Sequence, residues 1–209
     1  MAGTNVTSLI SSTIAALEAT TKHYNTVKDD KGLREAFHEA GRGLLLVREA
    51  LQGANTQLDG RNLAGDPQSA IRSLQACNTK AKLSESIFKD VAQAPETSRF
   101  QRYKAAVQRH GQGRTVEVLT TGMMKDVCDL AENDAIKAAM EDHVKGLREA
   151  IDKLSKMEPS VPNEGSGNSF SNFGGEQFNA PGGTQNITKG EGKGPQLPGA
   201  NFYSTVSFA

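Results

Sequence analysis

The chain has 209 residues with 24 basic and 24 acidic side chains, so its formal charge is zero. This balance argues against a general nucleic-acid-binding protein, which usually carries a basic excess. The longest aliphatic run, Leu44–Val47, is far shorter than the ~20 apolar residues that span a bilayer. The chain begins with neither a basic stretch nor a long apolar one, and it has only two cysteines. We therefore expect a cytoplasmic protein without a transmembrane segment or a disulfide scaffold.

The composition changes near Pro159. Residues 1–158 hold 43 of the 48 charged side chains, whereas residues 159–209, here called the tail, hold five. The tail nevertheless has ten of the 21 glycines and five of the seven prolines. Because it has little aliphatic bulk, it cannot bury enough apolar surface to fold as a monomer. We predict one domain over residues 1–158 and a separate tail over residues 159–209.

The first segment with helical spacing covers residues 6–27. The second, residues 33–58, has apolar side chains at steps of 4-3-4-3-4-3-4, which is typical of a long packed helix. Its members are Leu33, Phe37, Ala40, Leu44, Val47, Leu51, Ala54 and Leu58. Asp66 and Pro67 are typical of the start of a third helix, with Asp as the N-cap and Pro in the first turn, and Pro95 ends it.

Further along, Ser98 and Gln101 predict a capping box at the start of another helix. Gly111-Gln112-Gly113 weakens or breaks that helix. Apolar spacing resumes at Val116, and Asn133 can cap a last helix. We predict an all-α fold, an antiparallel bundle of four to five long helices. The count depends on whether the glycine pair breaks a helix.

No catalytic or metal-binding constellation is readable. The four histidines are widely spaced, and His143 is interpreted as an edge residue of the core. Cys77 and Cys128 lie on or beside apolar stripes and are interpreted as small hydrophobic residues. The glycine-rich residues 189–194 fail the phosphate-loop pattern, because that pattern needs glycine where Ile187 stands and serine or threonine where Gly194 stands. We expect no enzyme, no cofactor and no metal.

A basic arc is the one distinctive charge feature of the predicted helices. Arg99, Arg102 and Arg109 fall within about 80° of one another at helical spacing. The neighbouring arc is apolar and consists of Phe100, Tyr103 and Val107. Basic residues beside an apolar arc suit an anionic lipid surface. The alternative is a solvated helix face that covers the core.

The tail consists of short polar-aromatic units separated by glycine and proline. Asparagine and glutamine form hydrogen-bonded ladders when identical strands stack, and phenylalanine and isoleucine can fill the dry side of such a stack. Glycine and proline oppose long strands, and composition alone favours a flexible, disordered segment. The residues predicted to form an amyloid core, if the tail converts to cross-β, are Phe173, Gln177, Phe178, Asn179, Gln185, Asn186, Ile187, Gln196 and Phe202.

The residues before the tail resemble the fungal SesA-type domain, found at the N-terminus of NACHT and other P-loop NTPases and related to HeLo-like cell-death domains. The resemblance is carried by Leu33–Leu58, Ser86-Ile87-Phe88, Arg99–Leu119 and Gly146–Pro162. Its most distinctive parts are Tyr103-Lys104 with Val116-Glu117-Val118-Leu119, and the closing Pro159-Ser160-Val161-Pro162. The tail is similar to the sigma-type prion-forming motif of the same fungal proteins, over residues 173–187 and 198–202.

The resemblance implies a signalling role. In that family a NACHT-type receptor with a similar motif templates the effector's tail into amyloid, and the helical domain then acts at membranes. The implied partners are further copies of the tail, the NTPase receptor and anionic lipids of the plasma membrane, with no nucleic acid. The implied process is fungal cell death, in heterokaryon incompatibility or innate immunity.

The first helix departs from membrane-active relatives, because residues 6–27 are only mildly amphipathic. The alternative is a soluble helical adaptor that regulates or assembles an NTPase receptor without membrane activity.

Overall fold

A computed structural model describes residues 2–58, 67–111 and 114–162, with side chains from Val6 onward. The all-α prediction is confirmed, because these residues form helices and no strand. The six α-helices are α1 (Ala2–Asn25), α2 (Glu35–Leu58), α3 (Pro67–Ala92), α4 (Arg99–His110), α5 (Val116–Leu130) and α6 (Lys137–Ser155). A 3₁₀ helix, Glu96–Ser98, precedes α4.

Local signals placed most helix ends correctly, and one was misread. Pro67 begins α3, and α4 ends before Gly111, whose φ of 96° is favourable only for glycine. This break separates α4 from α5, so the described residues contain six helices rather than four or five. The capping box at Ser98 does not form. The Ser98 hydroxyl instead donates a hydrogen bond to the Pro95 carbonyl at 3.1 Å.

Helices α1, α3, α5 and α2 form a ring in which each contacts the next, and α4 and α6 pack against members of this ring. Helix α1 packs against α2 and α3, and α5 packs against the same two helices from the other side. Helix α6 lies against α2 and α5, and α4 lies against α3. The compact unit covers Met1–Pro162, so it extends four residues beyond the predicted boundary.

The apolar stripe of α2 faces the interior along its whole length. All eight side chains of the predicted series are buried, from Leu33 before the helix to Leu58 at its end. The stripes of α3, α5 and α6 also enter the core, where Leu74, Met123 and Leu147 are each 1% exposed or less. Burial of this apolar surface is the main force that holds the bundle together.

Four aromatic rings join the ends of α1, α2 and α3 to α4. The Phe37 ring lies 4.8 Å from that of Phe88 and 4.9 Å from that of Tyr103, measured between centroids. The Tyr24 ring meets Phe88 edge to face at 5.8 Å. Offset and edge-to-face pairs at these distances are favourable beyond their burial. This aromatic cluster (Tyr24, Phe37, Phe88 and Tyr103) is the main apolar attachment of α4.

The threonines that make α1 only mildly amphipathic are compatible with burial. Thr13 and Thr20 are fully buried. Their hydroxyls donate to the carbonyls of Leu9 at 2.8 Å and Ala16 at 2.7 Å, one turn earlier in the same helix. Because these bonds lie within α1, a buried threonine needs no polar partner on another helix.

Glycines on α2 allow three other helices to approach closely. A Cβ at Gly41 would lie 2.4 Å from the Tyr24 ring of α1. A Cβ at Gly43 would lie 2.6 Å from the Met124 side chain of α5, and one at Gly53 would lie 3.0 Å from His143 of α6. The close packing of α2 against these helices therefore depends on glycine, which has no side chain, at these three positions.

We predict that Gly41→Ala destabilises the bundle. The Tyr24 ring is buried and its hydroxyl bonds to the His38 carbonyl at 3.1 Å, so it cannot move aside freely. Overpacking costs about 1–3 kcal/mol, and the gain in helix propensity returns about 1 kcal/mol. Urea unfolding followed by circular dichroism should show a net loss of up to about 2 kcal/mol. Gly146→Ala is the control, because its Cβ would meet nothing within 4 Å. Equal stability changes in the two variants would contradict this account.

Candidate functional site on α4 and the segment before the tail

Arg99, the first residue of the predicted basic arc, is held inside the structure. Its Nη1 lies 3.0 Å from Oδ2 of Asp30, in the turn between α1 and α2. The Asp30 side chain is 2% exposed and that of Arg99 is 19% exposed. A second Arg99 nitrogen, Nε, donates to the Ala94 carbonyl at 3.3 Å. Arg99 therefore neutralises a buried carboxylate, and its charge is paired with Asp30 inside the protein.

The other two arginines of the arc lie on the outer face of α4. Arg102 is exposed. Arg109 is about half exposed and its Nη2 lies 2.9 Å from Oδ2 of Asp90 on α3. An exposed pair of this kind contributes about 1 kcal/mol or less, so Arg109 can exchange partners readily. The outward basic surface of the arc is therefore Arg102 and Arg109.

The apolar arc beside these arginines faces the core. Tyr103 is fully buried and Val107 is 5% exposed, while Phe100 is partly buried and packs against the same core. This is the arrangement of a surface helix that covers a hydrophobic interior. Lipid binding by the arginines stays a prediction, and the apolar arc adds no exposed surface to it.

A buried polar cluster lies where the bundle ends and the tail begins. The Glu117 carboxylate on α5 accepts two hydrogen bonds from Ser160, from its backbone N–H at 3.0 Å and from its hydroxyl at 2.5 Å. The Tyr103 hydroxyl lies 2.6 Å from the Ser160 hydroxyl and accepts the Val116 N–H at 3.1 Å. Burial, with the Glu117 charge beside it, raises the pKa of Tyr103, so this hydroxyl stays protonated.

These contacts fix residues 159–162, here called the latch, to three parts of the bundle. Ser160 is fully buried between α4 and α5. Nη1 of Arg34, just before α2, donates to the Pro159 carbonyl at 3.2 Å. Val161 is partly buried and packs against the core. Composition alone assigns these four residues to the tail. It carries no information about their contacts with the bundle, because the partner residues lie far away along the chain.

The latch is the feature that sequence reasoning did not interpret. Two features of the sequence indicate it: Glu117 is an acid at a core position of α5, and Ser160 lies between two prolines. Tyr103, Glu117 and Ser160 lie in the segments that carried the family resemblance, and the structure brings all three together. Their separation along the chain hid the contact.

The remaining sequence candidates have ordinary surroundings. Cys77 is fully buried, and burial raises the pKa of its thiol to about 12. Cys128 is half-buried, and His143 lies beside Gly53 at the α2–α6 contact. Among the described residues, none of the helices combines the length and hydropathy needed to cross a bilayer. In the same ranges no three His, Cys, Asp or Glu side chains are grouped so as to hold a metal ion.

The predicted amyloid core lies outside the described residues. This applies to Phe173, Gln177, Phe178, Asn179, Gln185, Asn186, Ile187, Gln196 and Phe202. Their roles stay predictions.

Two family models match the chain. One, SesA, is described as the N-terminal domain on NACHT NTPases and P-loop NTPases, and it matches residues 10–130, more than half of the chain. The other, described as the sigma domain on NACHT NTPases, matches residues 167–209. No curated protein and no solved structure matches the chain. Tyr103 and Glu117 lie within the first match, and Ser160 lies between the two.

We predict that the arginines of the basic arc differ sharply in their contribution to stability. Removing one partner of a buried pair costs about 3–5 kcal/mol, and partial exposure of Arg99 reduces the expected loss for Arg99→Ala to about 2–3 kcal/mol. Arg102→Ala should change stability by less than about 0.5 kcal/mol. Urea unfolding measures both changes.

Adding Asp30→Asn to the Arg99→Ala variant should recover part of the loss, because it removes the uncompensated charge. Similar losses for the two arginine variants would show that the Asp30 pair contributes little.

Proposed function

Because the chain belongs to the SesA family, whose domain is described as N-terminal on NACHT NTPases and P-loop NTPases, we propose that it is a signalling effector controlled by such an NTPase. The observation that carries this proposal is the presence of a SesA domain and a sigma domain in one chain, both associated with NACHT NTPases. The controlling NTPase is proposed to be a separate receptor that carries a similar sigma domain.

The signal is proposed to pass through the sigma domain. Sigma domains occur on NACHT NTPases, so receptor and effector would present similar segments to each other. Similar strands can stack in register and join their asparagine and glutamine side chains into ladders. A segment that orders only on meeting such a template stays inactive until the receptor offers one. The tail is thus proposed to assemble as amyloid on the receptor and then on further copies of itself.

The output is proposed to be fungal cell death at the plasma membrane, by a cytoplasmic, non-enzymatic protein. Stacking many chains on one assembly raises their local concentration, so weak contacts to anionic lipids add up. The outward side chains of Arg102 and Arg109 support such contacts. Each basic side chain near an anionic surface contributes about 1 kcal/mol, so a single bundle would bind weakly and a cluster strongly.

A soluble adaptor is the second candidate. The use of Arg99 inside the fold and the burial of the apolar arc of α4 both favour it, since they leave a small basic surface without an apolar neighbour. In this case the clustered bundles would regulate or assemble the receptor. Both candidates share the tail and differ in what the bundle touches.

We predict that fibrils of residues 167–209 seed assembly of the full chain. Fibre diffraction should give reflections near ~4.7 Å and ~10 Å. Ile187→Asp should slow seeded growth at least about tenfold, because an unpaired carboxylate is costly inside a dry interface. Ser207→Asp, which adds the same charge outside the predicted core, should grow nearly normally. A chain that stays soluble with every seed would exclude amyloid signalling.

Vesicle leakage separates the two candidates. The assembled chain should release dye from anionic vesicles and leave neutral ones intact. The Arg102→Glu/Arg109→Glu variant should lose at least roughly 30-fold in vesicle affinity from the two lost attractions, and up to about 1,000-fold when the two added repulsions count in full. Lys125→Glu/Lys145→Glu is the matched control on α5 and α6, where both lysines are exposed. Assembled chains that leave anionic vesicles intact would favour the adaptor.

A further inference from the structure

We propose that the groove between α2 and α5 accepts α6 from a second copy of the chain, so that two bundles exchange this helix and form a dimer. In a single bundle α6 covers this groove and contacts none of the other described helices. The SesA match ends at residue 130, where α5 also ends, so α6 is an addition to the helices that the match covers. The inference does not depend on the proposed function.

The groove holds α6 by contacts that a second copy can supply equally well. The buried side chains of α6 recur every seven residues, which is the spacing of a helix that packs along another helix. They are Met140, Leu147 and Leu154. Near the end of α6, Lys153 Nζ lies 2.7 Å from Oε1 of Glu39 on α2. Near its start, His143 lies beside Gly53 of α2.

The other helices do not need α6 to stay together. Helices α1, α3, α5 and α2 contact one another in a closed ring. Loss of α6 alone would expose the apolar groove, so α6 leaves only where another α6 takes its place. In an exchanged pair each groove receives the same side chains from the partner. The monomer and the dimer then differ mainly in the connection between α5 and α6.

This connection, residues 131–136 and here called the hinge, is suited to straightening. Its sequence, Ala-Glu-Asn-Asp-Ala-Ile, has no glycine and no proline, whereas every other connection between consecutive α-helices has at least one of them. Among the described residues, positive φ occurs only at glycine, so the hinge residues have no left-handed conformation to lose. A straight hinge would give one helix of about 40 residues, roughly 60 Å long.

Asn133 keeps the hinge bent. Its side-chain Oδ1 accepts the Ala135 N–H at 3.1 Å, and its carbonyl accepts the N–H groups of Ile136 at 3.0 Å and Lys137 at 2.9 Å. Local bonds of the first kind compete with helix formation. Straightening keeps the Lys137 bond, because it joins residues four apart, and exchanges the side-chain bond for a helical one. The local cost of opening is therefore small.

The exchanged pair has a closed, two-fold arrangement. The two straightened helices run antiparallel, and the α6 half of each packs against the α5 half of the other. Residues 156–162 follow α6 along the chain and transfer with it. Because both copies use the same surfaces, the contact closes on itself and produces a dimer without open ends. The dimer fraction rises with chain concentration.

Substitutions at Asp134 test the hinge. Its side chain is exposed, and within the described part of the chain its N–H makes no hydrogen bond. Asp134→Pro should keep the bend, because proline suits the first turn of a helix, and should prevent a continuous helix. Asp134→Ala removes the same charge but raises helix propensity. It should strengthen dimerisation about tenfold over the original chain, because each dimer contains two hinges.

The dimer fraction is measured by size-exclusion chromatography with light scattering, after refolding from urea at high chain concentration. All chains carry Ile187→Asp, the substitution expected to slow assembly of the tail. A dimer in this background forms through the bundle.

A cross-link between Lys153 and Glu39 identifies the chain that supplies α6. Carbodiimide joins an amine directly to a carboxylate that it contacts, and these two groups form an ion pair. Isotope-labelled and unlabelled chains are refolded together in equal amounts. In the exchanged dimer about half of the cross-links should join a labelled chain to an unlabelled one, since pairing is random. In the monomer every cross-link joins two sites of the same chain.

Mixed-label cross-links in the Asp134→Ala dimer, with no dimer of the Asp134→Pro chain, would support the exchange. A dimer whose cross-links all lie within one chain associates without exchange and would overturn the proposal. So would the absence of any dimer of the original and Asp134→Ala chains, or equal dimerisation of the proline and alanine variants. If circular dichroism shows the proline variant unfolded, Asp134→Gly replaces it. Its dimer should be up to about 30-fold weaker than that of the alanine variant, and equal strength would contradict the straight hinge.

Discussion

The ring of Tyr103 packs against Phe37 in the aromatic cluster, and its hydroxyl bonds at the latch. The attachment of α4 and of residues 159–162 depends on this one buried side chain, because its ring reaches the core and its hydroxyl reaches the end of the domain. Its ring supplies apolar area, and its hydroxyl completes a hydrogen-bond chain that ends on the Glu117 carboxylate. A phenylalanine here would keep the first contact and remove the second.

The helices and most of the core could be predicted from sequence because their cause is local. A side chain of α2 is buried or exposed according to its position on a helix of 3.6 residues per turn, and eight of eight predicted positions follow that rule. Arg99 and Asp30 lie 69 residues apart, and Ser160 and Glu117 lie 43 apart. Helical spacing placed Arg99 on a face but carried no information about its acid partner, so the basic arc looked larger than it is.

The two family matches divide the chain between a helical part and a sigma part, and the latch lies outside both. The residues that join the buried polar cluster to the sigma domain along the chain are therefore ones that neither match covers. Its acceptor and aromatic partner lie inside the SesA match, where they would be read as ordinary core residues. The contact between these three residues becomes visible only when the fold places Ser160 beside Tyr103 and Glu117.

The glycines of α2 limit how the bundle can rearrange. The Tyr24 ring lies directly over Gly41, and the positions one turn away on the same face of α2 carry side chains, Phe37 and Leu45. Sliding α1 along α2 by about one turn would press that ring against a Cβ, whereas moving α1 straight outward would not. The fit of Tyr24 over Gly41 therefore opposes sliding along the helix axis and favours outward separation of α1 from α2.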